Sequence, residues 1–441
     1  MKTTTAILFT VNAVAGSSRR LVLTSASVRL SAAARQHSTA ASPPRRLSST
    51  AAALSEAVPE EPAPPAATPY DRFRPVVDSF NAKIDLAVAY GSGVMAQANA
   101  STTGPPPLTD FIIATPNAVD FHAVNLRQHP SHYPLYARVL GPRFVGWLTE
   151  SFGAGLWYVT MVKFGDLEVK YGVISTPTLT KDLENWTTLY VAGRLHKPVL
   201  TLALNPALRP ALEVNTHSAL ALALLQLPPG KEFSELALWE QIAGISYSGD
   251  PRMSVPGAEN PEKVKNIVRG EGVLDGFRSL YGPHLATAVG LRWAGDKNGL
   301  AKEWKGRGEA LLEQPATSEH FGSLLAQLPL TLRKNVAKHF RPTIVGSMVS
   351  QDVRAARKEV RAAELPLYQD PAFWVRVAEE PKFREVVSNE VRHIIRRPAT
   401  TQSIKGLVTA GLVKSVVYSM AKFRKWLAAK RKQAKHAPSS P

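Results

Sequence analysis

The stretch that decides the fold is Ile84-Asp85-Leu86-Ala87-Val88-Ala89-Tyr90-Gly91-Ser92-Gly93, followed by Leu108-Thr109-Asp110-Phe111-Ile112-Ile113-Ala114. Both apolar runs are short and bounded by Gly or Pro, which reads as two buried strands. Val94 to Ala100 between them has the length of a short helix, and Asp166 to Ile174 reads as a further strand. Gly91-Ser92-Gly93-Val94-Met95-Ala96 formally satisfies the dinucleotide fingerprint G-x-G-x-x-[G/A]. That fold needs a long crossover helix and an acidic residue at the far end of the second strand. Here Pro105, Pro106 and Pro107 stop any helix early, and Asp110 stands near the start of its strand. The competing reading is a nucleotidyltransferase site. Backbone N–H groups at a glycine turn can hold a triphosphate, and Ser92 adds a hydroxyl donor. Asp110 on the adjacent strand is the metal ligand expected to hold Mg²⁺ against the phosphates. A second carboxylate would usually follow two residues later, where Ile112 stands, so Glu168 on the later strand is the tentative second ligand. Lys170 shares its strand face and is expected to neutralise a phosphate. On spacing alone, a glycine turn beside a structural aspartate stays an open alternative.

Composition bounds the rest. The 441 residues carry 53 Lys plus Arg against 35 Asp plus Glu and no cysteine. That length allows two or three domains. The absence of cysteine excludes disulfides, thiolate metal sites and cysteine nucleophiles. The net charge of +18 belongs to the ends: residues 1–55 hold seven basic residues and residues 391–441 hold twelve, neither with an acid. The remaining 34 basic residues face all 35 acids, so the body is neutral. Nucleic acid is therefore not an expected partner, because a binding groove would put its charge on the body.

Residues 1–55 are rich in Arg, Ser, Thr and Ala, the composition of a mitochondrial transit peptide. Residues 56–70 read as a Pro/Ala linker. No window reaches the roughly 18 apolar residues of a membrane span, and the run Ala219 to Leu227 reads as a buried helix. Residues 401–441 interleave apolar residues with lysines and no acids. This is the pattern of an amphipathic helix lying on an anionic membrane surface, with Lys405, Lys414, Lys422, Phe423 and Trp426 as expected contacts.

Longer motifs recur in a definite order: Tyr90-Gly91-Ser92-Gly93-Val94, Asp110-Phe111-Ile112, Phe121-His122 with Asn125-Leu126, and Pro130-Ser131-His132-Tyr133. They continue with Lys170-Tyr171-Gly172-Val173-Ile174-Ser175, Leu189-Tyr190-Val191-Ala192-Gly193-Arg194-Leu195, Lys197-Pro198-Val199, Ile242 to Asp250, and Gln402-Ser403-Ile404-Lys405-Gly406. In these the chain resembles the mitochondrial phosphatidate cytidylyltransferases of the translocator assembly and maintenance family, across roughly residues 70–285 and 390–425. The resemblance implies an α+β architecture. A polymerase-beta-like nucleotidyltransferase domain (71–210) would precede a helical, winged-helix-like domain (211–400) with a variable insertion at 286–390, and then the membrane-contacting helix. It implies CTP and phosphatidate as substrates, Mg²⁺ as cofactor and CDP-diacylglycerol as product. That product would feed cardiolipin synthesis at the matrix side of the inner membrane.

On this reading Tyr90, Gly91, Ser92 and Gly93 bind nucleotide, and Asp110 and Lys170 are catalytic. His122, Asn125, His132 and Tyr133 form a polar cluster expected either to touch substrate or to pack a helix. Asp250 and Arg252 are expected either to bind lipid phosphate or to cap a helix. Two other classes compete: a transferase acting on RNA, and a non-enzymatic factor for assembly of import machinery. The sequence does not set the oligomeric state.

Overall fold

A computed structural model of the chain describes residues 68–95, 108–228, 230–254, 262–270, 272–285, 290–295, 310–348 and 367–410. The expected transit peptide, most of the linker, and Lys414, Lys422, Phe423 and Trp426 lie outside the described residues. So does most of the helix expected at 94–100, of which Val94 and Met95 are described, in a turn after β1.

The first elements are α1 (Pro69–Asp78), β1 (Leu86–Tyr90), β2 (Thr109–Thr115), α2 (Ala118–Gln128) and α3 (Leu135–Ser151). Then come β3 (Leu156–Phe164), β4 (Leu167–Ser175), α4 (Thr176–Asn185) and β5 (Leu200–Leu204). The five strands form one mixed sheet in the order β3-β4-β2-β1-β5. β2 and β4 run parallel, and the other neighbours are antiparallel. β1 and β2 pair directly and antiparallel, with Tyr90 opposite Asp110, which excludes the crossover a dinucleotide fold requires.

Strand alternation divides the sheet into two apolar faces. Phe111, Ile113, Tyr171 and Val173 point to the side covered by Phe73 of α1, Phe121 of α2 and Val145 of α3. Leu86, Val88, Ile112 and Ile174 point to the other side, against Leu179 and Leu183 of α4. Asp110 and Lys170 share the parity of this second face, at the sheet end where β1 leaves for the glycine turn.

The chain continues with α5 (Arg209–Gln226), β6 (Phe233–Ser234), α6 (Glu235–Gly244), α7 (Lys263–Val268) and α8 (Val273–Leu285). β7 (Arg292–Trp293), β8 (Leu311–Glu313), α9 (Ser318–Ala326), α10 (Leu330–Met348), α11 (Pro371–Glu379) and α12 (Phe383–Ala410) complete it. β6, β8 and β7 form a small antiparallel sheet. The molecule is thus an α+β mixture. Ala219 to Leu225 are buried along α5, as their apolar run requires.

One apolar cluster spans the boundary expected at 210. Leu86, Ile112 and Leu179 belong to the same apolar cluster as Leu222, Trp239 and Ile394. From the described part of 286–390, Leu324, Leu325 and Trp374 are buried in that cluster.

The motif Gln402-Ser403-Ile404-Lys405-Gly406 corrects one expectation. Lys405 is 1 % exposed and contacts no solvent surface. Its ammonium donates to the carbonyls of Thr149 (3.1 Å) and Phe152 (2.7 Å) at the end of α3. Gln402 accepts from the Ala154 N–H (3.0 Å) and donates to the Leu156 carbonyl (3.2 Å), so it pairs with the edge backbone leading into β3. These contacts fasten α12 to the sheet domain. Helical spacing put Lys405 with the other lysines, but its side chain is the one turned inward, where exposed carbonyls of α3 need a donor. Burial, only partly offset by Glu150, lowers its pKa to about 7.

Candidate active site

The site begins at the end of β1. Gly91 takes φ +88°, a conformation glycine adopts without a Cβ penalty, and its carbonyl accepts from the N–H groups of Val94 and Met95. A Cβ on Gly91 would stand 3.5 Å from Asp110 Oδ2, so the missing side chain leaves the approach to that oxygen open. The other oxygen, Oδ1, accepts from Lys170 Nζ at 2.8 Å across the parallel β2–β4 register. The same ammonium lies 4.3 Å from the centroid of the Tyr158 ring.

Opposite this pair stands an irregular segment, residues 186–199, held in shape by one buried carboxylate. Asp182, near the end of α4, accepts from the backbone N–H groups of Thr188, Leu189, Val191 and Ala192 and from the Thr188 hydroxyl. Trp186 and Leu189 take φ of 51° and 54°, strained for side chains of their size. The Trp186 indole N–H donates to Asn215 Oδ1 on α5 at 2.8 Å, and Asn215 donates to the Ala192 carbonyl. A Cβ on Gly193 would meet the Leu189 carbonyl oxygen at 2.6 Å, so only glycine fits there.

This segment brings Tyr190, Arg194 and Lys197 into a cavity of about 360 Å³ whose lining also includes Tyr90, Ser92 and Asp110. Lys170, Arg194, Lys197, Arg252 and Lys263 supply cationic groups to its wall, against the carboxylates Asp110 and Asp250 among the described residues. Arg194 lies 4.0 Å from the Tyr190 ring centroid, and Lys197 donates to the Gly193 carbonyl and the Ser246 hydroxyl (3.0 Å). Asp250 is already neutralised, since Arg252 binds it through Nε and Nη2. Burial opposes ionisation of Asp250, but the Arg252 bonds outweigh it and hold the carboxyl below its ordinary range. Burial, reinforced by Arg194 and Lys263, pulls the Lys197 pKa down to about 7. Burial also opposes ionisation of Tyr190, yet Arg194, Arg252 and Lys170 together lower its pKa. The cavity therefore holds an excess of positive charge in a partly dry space, which suits a multiply charged anion.

Of the expected site residues, Tyr90, Gly91, Ser92, Asp110, Lys170, Asp250 and Arg252 line this one cavity. Glu168 does not: it is exposed on β4, opposite Lys163 of β3, where the strand begins outside the cavity. Of the two readings open for the polar cluster, its burial matches helix packing. His122, Asn125 and Tyr133 are buried under the opposite sheet face. Tyr133 OH bonds to His122 Nδ1 (2.8 Å) and accepts from Asn125 Nδ2 (2.9 Å), which also donates to Tyr171 OH. His132 Nδ1 meets the same Tyr171 hydroxyl at 2.9 Å and stacks on His129. This network lies within a packed layer, where Asn125 Oδ1 finds no partner among the described residues, and it does not reach the cavity. Burial lowers the His122 pKa to about 3, so it is neutral there.

A glycine turn, a strand aspartate and a cation-rich cavity together make a site suited to phosphorylated substrates. Residues 73–425 match the family model described as mitochondrial phosphatidate cytidylyltransferase. Curated relatives of that name share 36% identity over 355 residues in Bos taurus, spanning 80% of this chain and 93% of the relative. In Schizosaccharomyces pombe the figures are 37% over 358 residues, 80% and 83%. In Drosophila melanogaster they are 36% over 379 residues, 81% and 99%. The chain belongs to the mitochondrial phosphatidate cytidylyltransferase family.

Proposed function

We propose that this protein transfers the cytidylyl group of CTP to phosphatidate, releasing pyrophosphate and forming CDP-diacylglycerol. The observation that carries the reading is the cavity that sets Lys170, Arg194, Lys197, Arg252 and Lys263 around Asp110 and the Gly91-Ser92 turn. Both substrates are phosphate anions, and their mutual repulsion is the first obstacle to bringing them together. Lysines and arginines on opposite walls offset it, while the polymerase-beta-like arrangement of turn and aspartate receives the triphosphate.

In the proposed reaction a phosphatidate oxygen attacks the α-phosphorus of CTP in line, and the bond to the β-phosphate oxygen breaks. The nucleophile is already anionic near neutral pH, so no strong general base is required. Positioning and charge neutralisation supply most of the rate. Lys170 and Arg194 stand where charge on the transferring phosphate can be met. Arg252, held by Asp250, presents its guanidinium at a fixed orientation. Mg²⁺ fits the donor set: Asp110 Oδ2 is approachable beside Gly91, and magnesium needs only one or two carboxylates beside substrate phosphates. When bound, the ion would supply Lewis-acid charge to those phosphates.

The relatives are named mitochondrial, and the acid-free, Arg- and Ser-rich residues 1–55 support import there. Among the described residues no helix is long and apolar enough to cross a membrane. We place the protein peripherally on the matrix side of the inner membrane, with the basic C-terminal residues on anionic lipid and its product feeding cardiolipin synthesis. The test is the purified chain with labelled CTP, Mg²⁺ and phosphatidate vesicles. Label should enter lipid, and Asp110→Asn should cut the rate by about 10²–10³-fold, the usual effect of removing a charge-stabilising group. An Asp110→Asn protein of undiminished rate would sink the reading.

A further inference from the structure

The exposed side of α3 carries more apolar surface than a solvated helix needs. Leu135 is 73 % exposed, Val139 76 % and Trp147 58 %. Exposed positions are 135, 138, 139 and 140 before a break at Gly141 (φ +78°), and 143, 147, 150 and 151 after it. Three- and four-residue spacing puts 135, 138 and 139 on one side of the first part, and 143, 147 and 150 on one side of the second, away from the buried Ala137, Val145 and Thr149. The polar members of the exposed side are mainly Arg138 and Arg143. Its carboxylate, Glu150, accepts from the Thr178 hydroxyl at the far end.

We propose that this face of α3 is a second membrane-docking surface, seated on an anionic lipid bilayer. Three observations select that occupant. Exposed Trp, Leu and Val flanked by arginines match an interfacial layer of acyl boundary and anionic headgroup. Lys405 binds the carbonyls of Thr149 and Phe152, so α12 meets α3 at this end and brings its own exposed Ile404 (51 %) there. From that junction the chain runs on into residues 411–441, which are basic and free of acids. The face thus belongs to the helix whose end binds α12, which leads into the segment proposed above to meet lipid, and the inference rests on that reading. A soluble partner protein would not need both. The proposal does not depend on the catalytic reading.

The test uses the full chain and vesicles of phosphatidylcholine with or without phosphatidylglycerol, which keeps phosphatidate out of the assay. Val139→Asp/Trp147→Ser alters only exposed positions and should weaken co-sedimentation with anionic vesicles at least about tenfold. Its turnover on a dispersed, short-chain phosphatidate should stay unchanged. Arg143→Glu should weaken binding to the phosphatidylglycerol vesicles and leave binding to pure phosphatidylcholine as it was. The Trp147 emission, taken as the difference from Trp147→Phe, should shift to the blue on vesicle addition. Full binding by the double variant would overturn the proposal. So would a wild-type dimer that the double variant dissolves, because a second copy would then cover the face.

Discussion

Lys197 is the cavity residue whose charge is most finely balanced. Burial and the neighbouring Arg194 and Lys263 lower its pKa from 10.5 to about 7, so near neutral pH the empty site holds it partly uncharged. A bound triphosphate favours the ammonium. Below about pH 7 the charge is already present, and above it binding must take up a proton. CTP affinity should therefore fall as pH rises through about 7 toward 10.5. Calorimetry in two buffers of different ionisation enthalpy should register that uptake, and Lys197→Arg should abolish it. Equal heats in both buffers for the wild type would show that Lys197 does not face the nucleotide. The sequence brought Asp110, Lys170 and Asp250 forward as candidates, and all three line the one cavity. Arg194 and Lys197 sit in the quoted motif, but no periodicity marks an irregular segment, and their convergence depends on the buried Asp182. A carboxylate four residues before a Trp and followed by Thr-Thr was the available signal.

At the scale of elements, β1, β2 and β4 were legible to within about two residues, because buried runs cut by Gly and Pro have few other readings. The polar residues of α2 were not. His122 and Asn125 look like site residues until β2 alternation sends Asp110 to one face and Phe111 to the other, with α2 on the Phe111 side. Lys405 misled for a related reason: a helix shows its composition in the sequence but not which side a neighbour covers. The α12 junction makes its own prediction. Gln402→Ala leaves the Ala154 N–H and the Leu156 carbonyl without this partner. One to two buried backbone groups left unmet should lower stability by about 2–4 kcal/mol. Denaturant unfolding should show this as a lower midpoint with unchanged slope. Gln402→Glu keeps the acceptor for Ala154 and should lose less. Equal losses in the two variants would mean that the Ala154 bond contributes nothing.

The whole molecule joins its halves through one apolar cluster, and this bears on how it unfolds. The sheet alone would leave Leu86, Val88 and Ile112 exposed on the face that α4 covers. The later helices would lack the support that α12 draws from β3 and that α5 draws from α4. Trp374 of α11 lies far along the chain from the site, is fully buried, and donates its indole N–H to the Tyr368 carbonyl at 3.0 Å. Trp374→Ala removes a large side chain from that shared core and should cost about 3–5 kcal/mol. If the core is one cooperative unit, the loss must appear in every probe. Far-ultraviolet dichroism, Trp fluorescence and the melting of the CTP-bound site should shift together in a single transition. Two separated transitions, with only the later one moved by Trp374→Ala, would show that the halves fold independently. In that case the charges on the 186–199 segment and those of Arg252 and Lys263 would be brought together by docking of two folded parts. The cavity would then open and close as they part, and CTP alone should raise the midpoint of both.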